Sequence, residues 1–295
     1  MDMQCGLLNM NKPSGVTSRW VVDQVQRLAR PKKVGHAGTL DPLASGVLVV
    51  CVGAATRLIE YVQQMRKSYT ATFLLGRHSP TEDVEGAVTL LENPPIPSLA
   101  QIVAEARALT GTILQRPPDF SALKVEGRRA YDLARRGQSV ALEPRNVEVY
   151  AIDVECYAYP ELRLRIDCGS GTYVRSLGRD LAEKMGTASV MSALVRTAIG
   201  NFRLADAVAP KDLTPDSWTQ CLLSPSRAVE TLSQVRLSEA EVLKVRLGQT
   251  IARPDLLAAS GEIAALAPEG DLVAILTPRS PGMLRPLRVM PFEQG

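Results

Sequence analysis

Gly35-His36-Ala37-Gly38-Thr39-Leu40-Asp41-Pro42-Leu43-Ala44-Ser45-Gly46 suspends one carboxylate, Asp41, in a glycine-punctuated turn just ahead of an apolar run. Pro42 disfavours helical geometry at Asp41 and removes a backbone N–H, while Gly35, Gly38 and Gly46 permit tight turns or close approach by a ligand. Residues 47–52, Val-Leu-Val-Val-Cys-Val, read as a short buried strand, so the turn sits on a rigid edge. An aspartate in such a loop reads either as a turn residue or as a reacting group. Other segments have to decide between the two.

A chain of 295 residues is long enough for a sizeable core, in one large domain with a smaller companion or in two comparable domains. Its hydrophobic content of 45% fits a globular protein. No apolar run is long enough to span a membrane and the start lacks a basic-then-apolar leader, which predicts a soluble, unexported protein. Cys5, Cys51, Cys156, Cys168 and Cys221 are odd in number and widely spaced with no CxxC, against both a disulfide framework and a zinc site. His36 and His78 are the only histidines, so a histidine-centred metal site or a serine triad is poorly supplied. The net charge is only +3, but residues 1–76 carry nine Lys/Arg against four Asp/Glu and residues 116–136 carry six against three. Residues 236–295 hold seven of each. Basic excess around the glycine-rich turn suits either a phosphate-bearing ligand or an ordinary solvated surface.

Along the chain, residues 6–10 read as a strand, and Thr17 or Ser18 can cap a helix running to about residue 29 with Val21, Val25 and Leu28 on one face. Residues 54–64 read as a helix, and residues 68–75 as a strand in which Tyr69, Ala71, Phe73 and Leu75 share a face. Pro94, Pro95 and Pro97 precede an amphipathic helix over 98–109, and Pro117-Pro118 mark an exposed turn. Strand signals cover 147–157 and 162–168, a helix is expected over 174–185, an extended stretch over 189–202 and another helical region from about Pro210. Irregular strand order without a constant βαβ repeat predicts an α+β fold rather than a doubly wound sheet. Beyond about Val235 a short helix over 239–247 and brief strands suggest a small, mostly β terminal domain.

Three further segments are rich in functional side chains. Lys67-Ser68-Tyr69-Thr70-Ala71-Thr72 begins a strand with a tyrosine, read as half-buried core or as an aromatic platform. Residues 115–124, Gln-Arg-Pro-Pro-Asp-Phe-Ser-Ala-Leu-Lys, continuing to Tyr131, interleave basic and aromatic groups as nucleic acid requires, or as a solvated hairpin would. Gly169-Ser170-Gly171-Thr172-Tyr173-Val174-Arg175 turns into a helix with Arg175 in its first turn. An arginine there is disfavoured by the helix dipole unless an anion is near.

Together these four segments resemble the TruB-type tRNA pseudouridine-55 synthases, whose signature includes a GTLDPxAxG loop, a KxY strand, a PPxxSALK segment and a GTYxR turn. All four occur here in the family's order, and Asn11-Lys12-Pro13-Ser14-Gly15 is similar to its N-terminal KPxG motif. The likeness is dense from about residue 6 to residue 202. It implies a mixed, largely antiparallel sheet of the pseudouridine synthase type with flanking helices over residues 1–235, and a small, mostly β PUA-like domain over residues 236–295. It also implies isomerisation of a uridine at position 55 of the tRNA T-loop, with no metal and no cofactor, by a cytoplasmic monomer that binds the T-arm and no membrane.

By the same resemblance Asp41 is the catalytic carboxylate, as nucleophile or charge stabiliser. Arg175 pairs with it, its guanidinium fork fixing the orientation. Tyr69 stacks on the target base and its hydroxyl can help move a proton; Leu194 packs in the pocket. His36 contacts RNA near the extruded nucleotide, Lys12 has a structural or phosphate-contacting role, and Tyr173 supports the pocket. Asp83, within Thr81-Glu82-Asp83-Val84-Glu85-Gly86, is expected to anchor its loop. The target uridine has to be flipped out, at lower cost in a loop than in a duplex, and residues 30–33 and 116–136 would hold the RNA backbone in a salt-sensitive way. Two other readings stand beside it, an RNA-folding factor with little turnover and an aspartyl-phosphate hydrolase. Intact Asp41, Tyr69 and Arg175 favour the enzyme over the first, and Leu43, where a metal-binding carboxylate would be needed, opposes the second.

Overall fold

The computed structural model describes residues 5–120, 124–125, 128–129, 142–258 and 260–291. These form two compact units, one of Met1–Leu40, Val47–Met65 and Asn201–Gly295, the other of Asp41–Gly46 and Arg66–Gly200. The class is α+β with largely antiparallel sheets, as expected.

The second unit is built on five antiparallel strands in the order Gly111–Gln115, Arg145–Ala158, Glu161–Cys168, Lys67–Leu75, Ser189–Ile199. Ser45 and Gly46 run parallel to Val195 and Arg196 at the last of these strands. Along Lys67–Leu75 every odd residue is buried and every even one partly exposed, the period-2 pattern of a strand with one covered face. Tyr69 therefore lies beside Ile166 on one neighbour and Arg196 on the other. The helix Val174–Lys184 covers that face, burying Val174, Leu177, Leu181 and Ala182. A Cβ at Gly178 would come 2.0 Å from the Phe73 ring, so glycine is what brings helix and sheet this close. A second helix, Leu99–Ala108, starts at the capping box of Ser98 and Gln101 and buries Ile102 and Ala106.

In the first unit the strand Gly6–Lys12 and most of Ser45–Val52 supply Leu8, Met10, Leu48, Val50 and Val52 to a core. The helix Ser18–Ala29, capped by Thr17, adds Val21, Val25 and Ala29. Val34–His36 pairs antiparallel with the end of Ser45–Val52, a short strand that periodicity alone does not reveal. The helix expected over 54–64 is a 3₁₀ turn, Gly53–Leu58, followed by an α-helix, Ile59–Gln64. The helical region expected from Pro210 is corrected to three separate 3₁₀ turns, Pro210–Asp212, Trp218–Cys221 and Pro225–Val229. Pro210, Pro215 and Pro225 each lack an N–H and recur too closely for an α-helical ladder to become established.

The same unit ends in a five-stranded sheet in the order Ser233–Arg236, Ile263–Leu266, Leu272–Ser280, Met283–Val289, Ile251–Ala252. The helix Glu239–Arg246, with the capping box of Ser238 and Glu241, packs Val242 and Val245 onto Val235, Ile263, Leu276 and Leu284. Arg288 pairs with Glu60, and Arg57 donates to the Val289 carbonyl at 3.1 Å, tying this sheet to the helix Ile59–Gln64 and to the 3₁₀ turn before it. No helix among the described residues is long and apolar enough to cross a membrane.

Candidate active site

The loop carrying Asp41 is fixed at both ends. Before it, the Ser18 hydroxyl donates to the Leu40 carbonyl at 3.1 Å and accepts from the Leu40 N–H at 2.8 Å, and the Ala37 N–H reaches the Val49 carbonyl at 2.9 Å. Within it, the Ala44 N–H donates to the Asp41 carbonyl at 3.1 Å. Where it ends, Gly46 has a φ of 101°, and a Cβ there would lie 2.3 Å from the Arg196 carbonyl oxygen, so no larger residue fits without moving a strand.

Asp41 Oδ2 lies 3.0 Å from Arg175 Nε, and the two differ sharply in access: the Asp41 side chain is 37% exposed and that of Arg175 only 6%. The remaining guanidinium nitrogens are occupied. Nη1 donates to the Thr81 carbonyl at 2.7 Å and lies 3.6 Å from Asp83 Oδ2, and Nη2 donates to the Phe120 carbonyl at 3.0 Å. A guanidinium held along all its edges keeps its plane, so the Asp41 carboxylate is oriented by a rigid partner. Two carboxylates also resolve the apparent misfit of an arginine in the first turn of a helix.

Asp83 is the buried one of the two carboxylates that face Arg175. Its Oδ1 accepts from Thr81 Oγ1 at 2.6 Å and from the Glu85 N–H at 3.1 Å, so it anchors its loop as expected and also neutralises Arg175. Glu85 accepts a hydrogen bond from the Leu43 backbone, linking this segment to the Asp41 loop; its carboxyl is pushed up by partial burial and by the negative charges of Asp83 and Asp41.

Tyr69 is 6% exposed. Burial pushes its hydroxyl up, Arg196 opposes this by charge and by a hydrogen bond, and the Asp41 carboxylate acts on it in the raising direction. Arg196 is itself almost wholly buried. Lys67, two residues before Tyr69 on the same face, is lowered to about 8 by burial and by the Arg196 cation. Leu194 is buried beside Ala71. Tyr173 is held through its backbone, donating to Gln115 Oε1 at 2.9 Å and accepting from Gln115 Nε2 at 3.1 Å, while Arg145 lies 5.1 Å over its ring.

Asp41, Tyr69, Tyr173, Arg175 and Leu194 thus fall in one compact unit, and His36 and Lys12 in the other. His36 is a strand residue opposite Val50. Lys12 is fully buried, its ammonium donating to the Pro13 carbonyl at 3.0 Å and the Val16 carbonyl at 2.6 Å, where it closes the turn that follows it. Tyr131 and most of the basic run 116–136 lie outside the described residues. Gln115, Glu82, Arg179 and Arg196 were not singled out from sequence. For Arg196 a signal existed, since it stands two residues beyond Leu194 on a strand and so shares its face.

Residues 26–174 match the family model of the TruB family pseudouridylate synthase N-terminal domain. The chain is 40% identical over 287 residues to tRNA pseudouridine synthase B of Arthrobacter sp. (strain FB24), covering 93% of each chain. It is 40% identical over 289 residues to the protein of the same name from Thermobifida fusca (strain YX), covering 94% of this chain and 96% of that one. Among solved structures it is similar to the crystal structure of a Cbf5-Nop10-Gar1 complex, with a TM-score of 0.75 at 25% identity over 98% of this chain and 84% of that one.

Proposed function

Since the chain belongs to the TruB family of pseudouridylate synthases and is an isomerase that forms pseudouridine in tRNA, we propose that Asp41 is its catalytic carboxylate and that its target is uridine 55 of the T-loop. The observation that carries this reading is the unequal pair of Asp41 and Arg175. A carboxylate that is open to a ligand yet fixed by a buried guanidinium is what an anion acting on a bound nucleoside requires.

The reaction breaks the bond from N1 to C1′, turns the uracil and joins C5 to C1′; the hydrogen on C5 leaves as a proton and N1 gains one. No electrons are exchanged with an outside reagent. Asp41 serves as nucleophile or charge stabiliser at this centre. Tyr69 stacks on the flipped base, and its hydroxyl, hydrogen-bonded with Arg196, helps move the C5 proton. Leu194 and the Tyr173 turn exclude water, which strengthens the interaction of Asp41 with Arg175. His36 contacts the RNA near the extruded nucleotide, and Lys12 closes the turn that follows it.

Flipping a loop uridine costs a few kcal/mol, less than opening a duplex, and this favours the T-arm as substrate. Residues 30–33 and 116–136 are assigned to its phosphates. Residues 1–235 form the catalytic domain of this reading and residues 236–295 its PUA-like module, in a monomeric protein of the cytoplasm that works without metal or cofactor. The test is to incubate unmodified tRNA with the protein and map pseudouridine by carbodiimide adducts that stop reverse transcription. One new stop, at uridine 55, is expected; a stop elsewhere with none in the T-loop contradicts the assignment.

A further inference from the structure

Arg179 stands four residues beyond Arg175 on the same helix and so on the same face, and the chemistry described above does not use it. It is nearly as buried as Arg175, with 14% of its side chain exposed, and its partners are charged or polar throughout. It pairs with the carboxylate of Glu82, whose side chain is 11% exposed, and with Asp180 Oδ1 at 2.7 Å, and it donates to the Arg116 carbonyl at 2.9 Å.

The two arginines grip the same two segments in alternation. Arg175 takes the Thr81 carbonyl and the Asp83 carboxylate, and Arg179 takes Glu82 between them. Arg175 also takes the Phe120 carbonyl, and Arg179 that of Arg116. Glu82 has a φ of 62°, a left-handed conformation that a side-chain-bearing residue adopts only when its surroundings impose it. Those surroundings are visible. The Ser176 hydroxyl donates to Glu82 Oε2 at 3.0 Å, the Met191 N–H to the Glu82 carbonyl at 2.9 Å, and the Val84 N–H to the Met191 carbonyl at 3.1 Å. Burial pushes the Glu82 carboxyl up, and the Arg179 cation, the Ser176 hydrogen bond and the Arg175 cation act against that.

We propose that Glu82 and Arg179 are a positioning pair for the reaction. They hold the strained backbone of residues 81–83 so that the Thr81 carbonyl and the Asp83 carboxylate present the Arg175 guanidinium edge-on to Asp41. When the pair is lost, the backbone at Glu82 relaxes, Arg175 loses two of its supports, and the chemical step slows while RNA affinity is kept. The inference rests on Asp41 being the reacting carboxylate.

The test uses the full-length protein and tRNA labelled with tritium at uridine C5. Single-turnover release at saturating tRNA reads the chemical step, filter binding reads affinity, and thermal melting reports folding. Arg179→Met and Glu82→Gln are each expected to slow release about tenfold or more, the scale of a misplaced catalytic geometry, with binding changed less than about threefold. The double variant should be no slower than the worse single one, since both remove one interaction. Arg179→Lys keeps the charge without the fork and is expected to fold like the wild type yet recover only part of the rate. Asp180→Asn, which leaves Glu82 paired, should stay close to wild type. Folded variants of Arg179 and Glu82 with wild-type release overturn the proposal, as does a loss found wholly in binding. If Asp41→Asn releases tritium normally, the underlying reading has failed instead; if it is inactive while Arg179→Met is unimpaired, only the positioning pair falls.

Discussion

Asp41 and Arg175 meet at 3.0 Å, yet only the aspartate reaches solvent; its partner is closed in by Asp83, the Thr81 carbonyl and the Phe120 carbonyl. Arg175 therefore does two separable things, orienting Asp41 and neutralising the buried Asp83. Arg175→Met should lose activity and also destabilise the fold by about 3–5 kcal/mol, because Asp83 becomes a buried charge without a counter-ion. Arg175→Met combined with Asp83→Asn should recover most of that stability and none of the activity. Chemical denaturation beside tritium release checks both halves.

Tyr69 offers an aromatic face and a hydroxyl held by Arg196. Tyr69→Phe keeps the face and should bind tRNA with affinity close to wild type while slowing the chemical step. Tyr69→Leu should in addition weaken binding of the flipped base by about 1–3 kcal/mol. Filter binding and single-turnover rates on the two variants separate the contributions, and equal rates for Tyr69→Phe and wild type would remove the hydroxyl from the chemistry.

Lys67 provides a pH signature. Its folded pKa is lowered from 10.5 to about 8, so between those values the unfolded chain binds the extra proton and unfolding free energy rises with pH. Cys168, pushed from 9.0 up to about 11 by burial, and Tyr69, also raised, act in the opposite sense at the alkaline end. Comparing wild type with Lys67→Met isolates the lysine. The unfolding free energy of wild type minus that of the variant should increase by about 3 kcal/mol from pH 8 to pH 10.5. Urea titrations across that range measure it.

Gly178 sets the seat of the helix that carries Arg175. A Cβ 2.0 Å from the Phe73 ring forces overpacking that costs about 1–3 kcal/mol, more than the roughly 1 kcal/mol that alanine gains in helix propensity. Gly178→Ala should lower the Tm, and Gly178→Ala with Phe73→Leu should regain part of it.

Much of this arrangement is legible in the amino-acid sequence. The alternation from Lys67 to Leu75 declared which face Tyr69 shares, and Arg175 in the first turn of a helix announced that an anion had to be near; the anions are Asp41 and Asp83. The second layer was not legible. Gln115 pairs with the backbone of Tyr173, and a side chain that imitates a strand's hydrogen bonds has no pattern in sequence. Glu82 sits in a left-handed conformation with no glycine or asparagine to mark it, and Arg179 on a charged helix reads as a solvated residue until its partner is placed. After residue 209 three 3₁₀ turns stand where a helical region is expected, because Pro210, Pro215 and Pro225 interrupt any longer ladder.

The central claim is that the exposed carboxylate of Asp41 carries the reaction. The most direct measurement is tritium release from tRNA labelled at uridine C5, comparing wild type with Asp41→Asn, which keeps the side chain's size and removes its charge. Release by the variant should fall to background while tRNA binding stays within a few-fold of wild type. Normal release by a correctly folded Asp41→Asn protein would contradict the account.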